Sequence, residues 1–165
     1  MSSQYFSEDL QEFFCLLQKY RVKYVIVGGE AVIYYGYARF TGDVDFFYKR
    51  TPQNAELLFK ALQEFWGGEV PGLSNWKELL EEGTIIQFGT PPNRIDLINT
   101  IDGVDFEEAW QSRVEETIEF RGKNCKIYYI GLEALIKNKK AAGRYKDFED
   151  LKFLEAALKK KRTSH

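Results

Sequence analysis

Residues 24–48 read YVIVGGEAVIYYGYARFTGDVDFFY. Tyr24-Val25-Ile26-Val27 is a β-rich apolar run that stops at Gly28-Gly29, which predicts a strand ending in a tight turn. Glu30 to Tyr35 predicts a short helix stopped near Gly36. Arg39 to Gly42 reads as loop, and Asp43-Val44-Asp45-Phe46-Phe47-Tyr48 as a returning strand. Side chains alternate along a strand, so Asp43 and Asp45 share a face, with Cα atoms roughly 6–7 Å apart. Two carboxylates that close repel each other and favour a cation between them. Locally only Arg39 offers one, so a hard divalent metal is the natural partner. Asp-x-Asp on a solvated strand face is merely polar. Against that, Val44, Phe46, Phe47 and Tyr48 make this strand apolar enough to be central. The glycine pair before it opens a helix start that can receive phosphate.

Working outward, 165 residues suit one domain, and 44% hydrophobic residues with 16% aromatics argue for a packed core and against disorder. A net charge of −2 gives no overall field favouring long nucleic acid. The sole histidine is His165, which sets aside histidine triads and histidine-built zinc sites. Cys15 and Cys125 are far apart without histidine companions, so isolated buried thiols are expected. No signal peptide is visible and no apolar run is long enough to span a membrane, so cytoplasmic residence without membrane contact is the default expectation.

Ser7 is placed to cap a first helix whose Leu10, Phe13, Phe14 and Leu17 make one apolar face. Thr51-Pro52 starts another, which Gly67-Gly68 ends. Asn75 can cap a short helix through Leu80. Residues 84–88 and 94–98 read as a hairpin, with Asp96 alternating against Ile95 and Leu97. Asp105 caps a brief helix. Residues 114–120 and 125–130 read as a second hairpin about Arg121-Gly122-Lys123-Asn124, and two helices close the chain. The tail Lys159-Lys160-Lys161-Arg162 reads as a solvated terminus suited to a helix C-terminal dipole.

With these elements in order, Gly28-Gly29, Asp43-Val44-Asp45-Phe46 and Ile95-Asp96-Leu97 resemble the nucleotidyltransferases of the DNA polymerase β superfamily. More narrowly, GGEAVIYYGYARFTGDVDFFY is similar to the line GGxAxxxxGxxRxTxDxDxxx of small stand-alone members, akin to abortive-infection toxin nucleotidyltransferases. Residues 139–151, KKAAGRYKDFEDL, resemble that group's K-xxAGRxKDxxDL segment. The resemblance implies an α+β fold, a small mixed twisted sheet with helices packed on it and three carboxylates converging on one face. It implies transfer of a nucleoside monophosphate from an NTP to an acceptor hydroxyl. Asp43, Asp45 and Asp96 would be the catalytic and metal-binding residues, holding Mg²⁺ or Mn²⁺ ions roughly 3.5–4 Å apart. Asp96 could also accept the acceptor's proton. Gly28 and Gly29 would admit the triphosphate to backbone N–H groups.

Arg39 could reach a phosphate bidentately or simply neutralise Asp43 or Asp45. Thr41 falls in the same matched line. Lys139 and Arg144 could be surface charge paired with Asp147 or Asp150; the resemblance tilts them toward the nucleotide site. One departure stands out. Many superfamily members have serine after the glycine, whereas here Glu30 follows Gly29. A carboxylate there suits the helix dipole but would repel a triphosphate if it faced the pocket.

The acceptor is open: a small molecule, RNA or protein, with a partner protein also conceivable. Two other functions stand beside the enzyme. One is a non-catalytic module that binds nucleotide or a partner. The other is the toxin component of a toxin–antitoxin pair.

Overall fold

The computed structural model describes residues 5–37, 41–91 and 93–163. Helix α1 (Glu8–Lys19) starts where the Ser7 hydroxyl oxygen accepts from the Leu10 N–H at 3.2 Å. Strand β1 (Tyr24–Val27) runs directly into α2 (Gly28–Tyr34), with no intervening turn. The helix begins at the glycine pair itself, two residues earlier than expected, because Gly28 turns the chain with φ +67°. Strand β2 (Asp43–Tyr48) and helix α3 (Pro52–Trp66) follow. Thr51 caps α3 and Gly67 ends it in the left-handed conformation. A short 3₁₀ helix (Trp76–Leu80) carries a capping box of Asn75 and Glu78. Then come β3 (Ile85–Phe88), β4 (Arg94–Ile98), α4 (Phe106–Gln111), β5 (Val114–Phe120), β6 (Lys123–Tyr129), α5 (Leu132–Ala142) and α6 (Tyr145–Thr163). The β5–β6 turn is tighter than expected. Only Arg121 and Gly122 lie outside the ladder, with φ of 50° and 77°, as a two-residue turn with both central residues left-handed requires.

Among the described residues, six strands form one mixed sheet in the order β3-β4-β2-β1-β6-β5. β2 is central: antiparallel to β1 and parallel to β4. Side-chain alternation divides the core in two. Tyr24, Ile26, Val44, Phe46 and Leu97 point to the face covered by α1 and α3, packed with Phe13, Phe14 and Leu58. Val25, Val27 and Phe47 point to the other face, against Ala31, Val32, Leu135 and Leu154. Asp43, Asp45 and Asp96 have the parity of Phe47 and so lie on this second face.

The two cysteines do not stay apart as isolated thiols. Cys15 in α1 and Cys125 in β6 form a disulfide, with Cα atoms 5.2 Å apart. Packing α1 across the sheet brings together positions separated by 110 residues, a proximity that spacing alone does not encode.

Candidate functional site

The site is built by strand register. Parallel pairing sets Asp45 beside Asp96 and Asp43 beside Arg94, while Val27, the last residue of β1, faces Asp45. One carboxylate oxygen from each of Asp43, Asp45 and Asp96 lies within 4.8 Å of the others. Gly28 makes the gathering sterically feasible. A Cβ built on it would meet Asp45 Oδ2 at 2.5 Å, and its φ of +67° disfavours any side chain.

Arg94 supplies the cation for this cluster. Its Nη2 donates to Asp43 Oδ2 at 2.6 Å and to Asp96 Oδ2 at 3.0 Å, and its Nε donates to Asp96 Oδ1 at 2.8 Å. One guanidinium therefore bridges two of the three carboxylates through charge-assisted bonds. Asp45 is left outside that clamp. Burial, then the charges of Asp43 and Asp96, push its pKa from 3.8 up to about 7. Burial and the Asp96 carboxylate raise Asp43 as well, against the pull of Arg94. The cluster is thus short of positive charge even with Arg94 in place. Three carboxylates offering hard oxygen donors form a set that fits Mg²⁺, Mn²⁺ or Ca²⁺. Asp96 is the most enclosed, at 6% exposure.

Glu30 does not stand as a bare charge over the cluster. It is buried, and the Tyr5 hydroxyl donates to its carboxylate, 3.2 and 3.1 Å from the two oxygens. Burial raises its pKa, the Tyr5 bond opposes that rise, and the Asp43 charge adds to it. The Thr41 hydroxyl donates to the Asp43 carbonyl at 3.3 Å, bracing the start of β2. Gly29 sits in the first turn of α2. Arg39 lies outside the described residues.

Lys139 makes the ion pairs that were one of its two expected readings. Its ammonium is buried between Asp147 at 3.1 Å and Asp150 at 3.2 Å, locking α5 to α6. It is committed to that junction, the pairing with Asp147 or Asp150 that the sequence left open beside the nucleotide role. The Arg144 side chain is 56% exposed while its Nε donates to Asp147 Oδ2 at 2.8 Å. That bond raises the Arg144 pKa, and the Asp45 charge contributes from further off, so Arg144 remains within electrostatic reach of the cluster. Burial opposes ionisation of Asp147, but the bonds from Arg144 and Lys139 hold it below the usual carboxylate range.

Two contributors escaped the sequence reading. Arg94 had a signal, since it precedes Asp96 by two residues on a strand and must share its face. Tyr5 had none: it lies before the first helix, 25 residues from the carboxylate it binds.

Among the described residues, no helix is long and apolar enough to cross a membrane. The fold is similar to that of an antigenic nucleotidyltransferase-like protein from Paracoccidioides brasiliensis. The TM-score is 0.52 and the identity 18%, over 96% of this chain and 77% of that one. Among curated proteins the chain has no match. Residues 7–160 match the family described as nucleotidyltransferase of unknown function (DUF6036). The match takes in β1 through α5 and nearly all of α6, with all three carboxylates, and the chain belongs to that family of nucleotidyltransferases.

Proposed function

We propose that this protein transfers a nucleoside monophosphate from an NTP to an acceptor hydroxyl, using a divalent metal, Mg²⁺ or Mn²⁺, held by Asp43, Asp45 and Asp96. The observation that carries the reading is the convergence of three carboxylates within 4.8 Å on one sheet face of a nucleotidyltransferase-like fold. A bound divalent metal would supply charge neutralisation of the phosphates and acidify an attacking hydroxyl. The other roles fall to the chain. Gly28 leaves room for the Asp45 carboxylate, and the Gly28 and Gly29 backbone N–H groups would receive the phosphates. Arg94 holds Asp43 and Asp96 aimed at one point, so the ligand set is pre-positioned before a metal arrives. Asp96, the most enclosed carboxylate, is the base for the acceptor's proton. Arg144 and Thr41 lie on the approach, with Arg144 as the cation toward the phosphates. Lys139 is left out of this assignment.

A thermal-shift panel tests the reading. Each of the four NTPs is added with Mg²⁺, with Mn²⁺ or with EDTA, beside an Asp43→Asn variant. A ligand bound only by the folded state raises the melting temperature by mass action. A metal-dependent rise lost in the variant is expected. No rise with any NTP overturns the assignment.

One observation favours a second reading, a module that binds nucleotide or a partner without turnover: Arg94 already neutralises part of the cluster. Pyrophosphate release in the presence of cell extract and NTP separates the two. A binder shows the thermal shift and releases none.

A further inference from the structure

The opposite end of β1 holds a separate cleft of about 740 Å³, lined by residues from the C-terminus of α1, the end of α4, β5 and β6. Its charged lining is basic: Arg21, Lys23 and Lys126. Arg113 adds a fourth cation behind it, its guanidinium 3.8 Å from the Trp110 ring centroid. Glu115 is in contact with two of the four, at 3.5 Å from Arg113 and 3.7 Å from Lys126. Among the described residues no carboxylate pairs with Arg21 or Lys23, although Lys23 lies 5.7 Å from the Trp110 centroid. The walls are fixed, because the Gln18 side chain donates to the Asn124 carbonyl at 3.1 Å and accepts from the Lys126 N–H at 2.6 Å. Lys23 lies four residues before Val27, the strand partner of Asp45, so about 13 Å of strand separates the cleft from the carboxylates.

We propose that this cleft is a second, metal-independent site for a phosphate-bearing polyanion. Its volume is that of a ligand site. The ligand class follows from what is covered. Trp110 and Tyr128 reach the cleft, but Trp110 already stacks on Phe106 at 5.8 Å and carries Arg113 on its ring, so the basic side chains are the feature that selects a ligand. Clustered Lys and Arg, with Glu115 the one contacting carboxylate among the described residues, select phosphate groups.

Arg21 provides a variant that is safe for the fold. It occupies the left-handed position just past α1, with φ 56°. There the Val22 N–H donates to the Leu17 carbonyl and the Arg21 N–H to the Gln18 carbonyl. Glycine is the usual residue at that position, so Arg21→Gly removes the charge while easing the backbone.

Binding is measured by fluorescence anisotropy of a labelled single-stranded oligonucleotide of about 12 nucleotides, in EDTA at about 50 mM salt, with inorganic tripolyphosphate as competitor. Wild type and Asp43→Asn should bind alike. The double variant Arg21→Gly/Lys23→Gln should bind at least ~10-fold more weakly, with a salt slope smaller by about 1.4, and with an unchanged or higher melting temperature. Displacement by tripolyphosphate at micromolar concentration assigns the site to free polyphosphates; displacement only at millimolar concentration assigns it to a nucleic-acid strand. Either supports the proposal. Equal binding by the double variant, loss of binding in Asp43→Asn, or no binding of either probe to wild type overturns it. The carboxylate reading can fail without affecting this result, since EDTA keeps that site silent.

Discussion

Replacing Asp45 by Asn should stabilise the metal-free protein, and by an amount that depends on pH. In the folded chain burial and two neighbouring carboxylates raise the Asp45 pKa from 3.8 to about 7. A carboxyl with a raised folded pKa binds its proton more tightly folded than unfolded. Stability is therefore greatest below about pH 4, falls as pH rises through about 7, and is level above that. A rise from 3.8 to about 7 at about 1.4 kcal/mol per pH unit gives about 4 kcal/mol lost by wild type across the window. Asn carries no charge at any pH, so Asp45→Asn should match wild type near pH 4 and exceed it by about 4 kcal/mol near pH 8. Urea unfolding in EDTA reads this directly. With a slope of about 2 kcal/mol per molar urea, the midpoint should move by about 2 M at the higher pH. Added Mg²⁺ should narrow the gap by stabilising wild type alone. If the variant is less stable near pH 8, or its advantage is equal at both ends of the range, Asp45 is not held under repulsion and the electrostatic account of the cluster is wrong.

Other substitutions probe the same frame. Gly28→Ala puts a Cβ 2.5 Å from Asp45 Oδ2 at a φ of +67°; it should lose about 1–2 kcal/mol in urea unfolding from the backbone alone and, by displacing Asp45, abolish metal-dependent nucleotide binding. Lys139→Met removes the ammonium shared by Asp147 and Asp150, which are 0% and 1% exposed. It should lower stability by about 3–5 kcal/mol, whereas a lysine serving only nucleotide would leave the urea midpoint unmoved. Reducing the Cys15–Cys125 bridge opens a loop spanning 110 residues and should lower stability by up to about 4.7 kcal/mol on loop entropy. Thiol titration of the unfolded chain should find no free thiol before reduction and both after it; two thiols beforehand would refute the cross-link.

Much of the fold is legible because local signals and global packing agree. Ser7, Thr51, Asn75 and Asp105 all cap helices where they were expected. The period-two alternation of Asp43, Asp45 and Asp96 against apolar neighbours places the three on one sheet face. What alternation cannot give is register between strands. Only the parallel β2–β4 pairing reveals that Arg94 lies beside Asp43, so the sequence reading searched for the cluster's cation at Arg39 and passed over the one two residues from Asp96. Lys139 was left between two readings for a related reason: a helix turn that carries a motif does not say which face meets its neighbour, and here that face meets Asp147 and Asp150. The disulfide and the Tyr5–Glu30 bond join segments far apart in sequence, where no local pattern exists to be read. The bridge also weighs against the cytoplasmic residence expected from the sequence, since such cross-links persist mainly in oxidising compartments.

The Cys15–Cys125 bond changes the covalent topology of the molecule. Residues 15–125 become a closed ring that contains Asp43, Asp45 and Asp96 together with the whole of β1 to β5. Two tails hang from it: one carries Tyr5, the other α5 and α6. A protease that cuts once anywhere inside the ring linearises it without releasing a fragment, so a nicked molecule keeps its mass until a reductant is added. A cut in the linker between β6 and α5 instead severs the covalent link to the C-terminal tail, which carries Arg144 and the Lys139 junction and separates from the ring on denaturation without any reductant. The ring thus ties the carboxylate-bearing strands together through damage that would dissect an open chain, while α5 and α6, which flank Arg144, have one covalent link to it and otherwise only their packing.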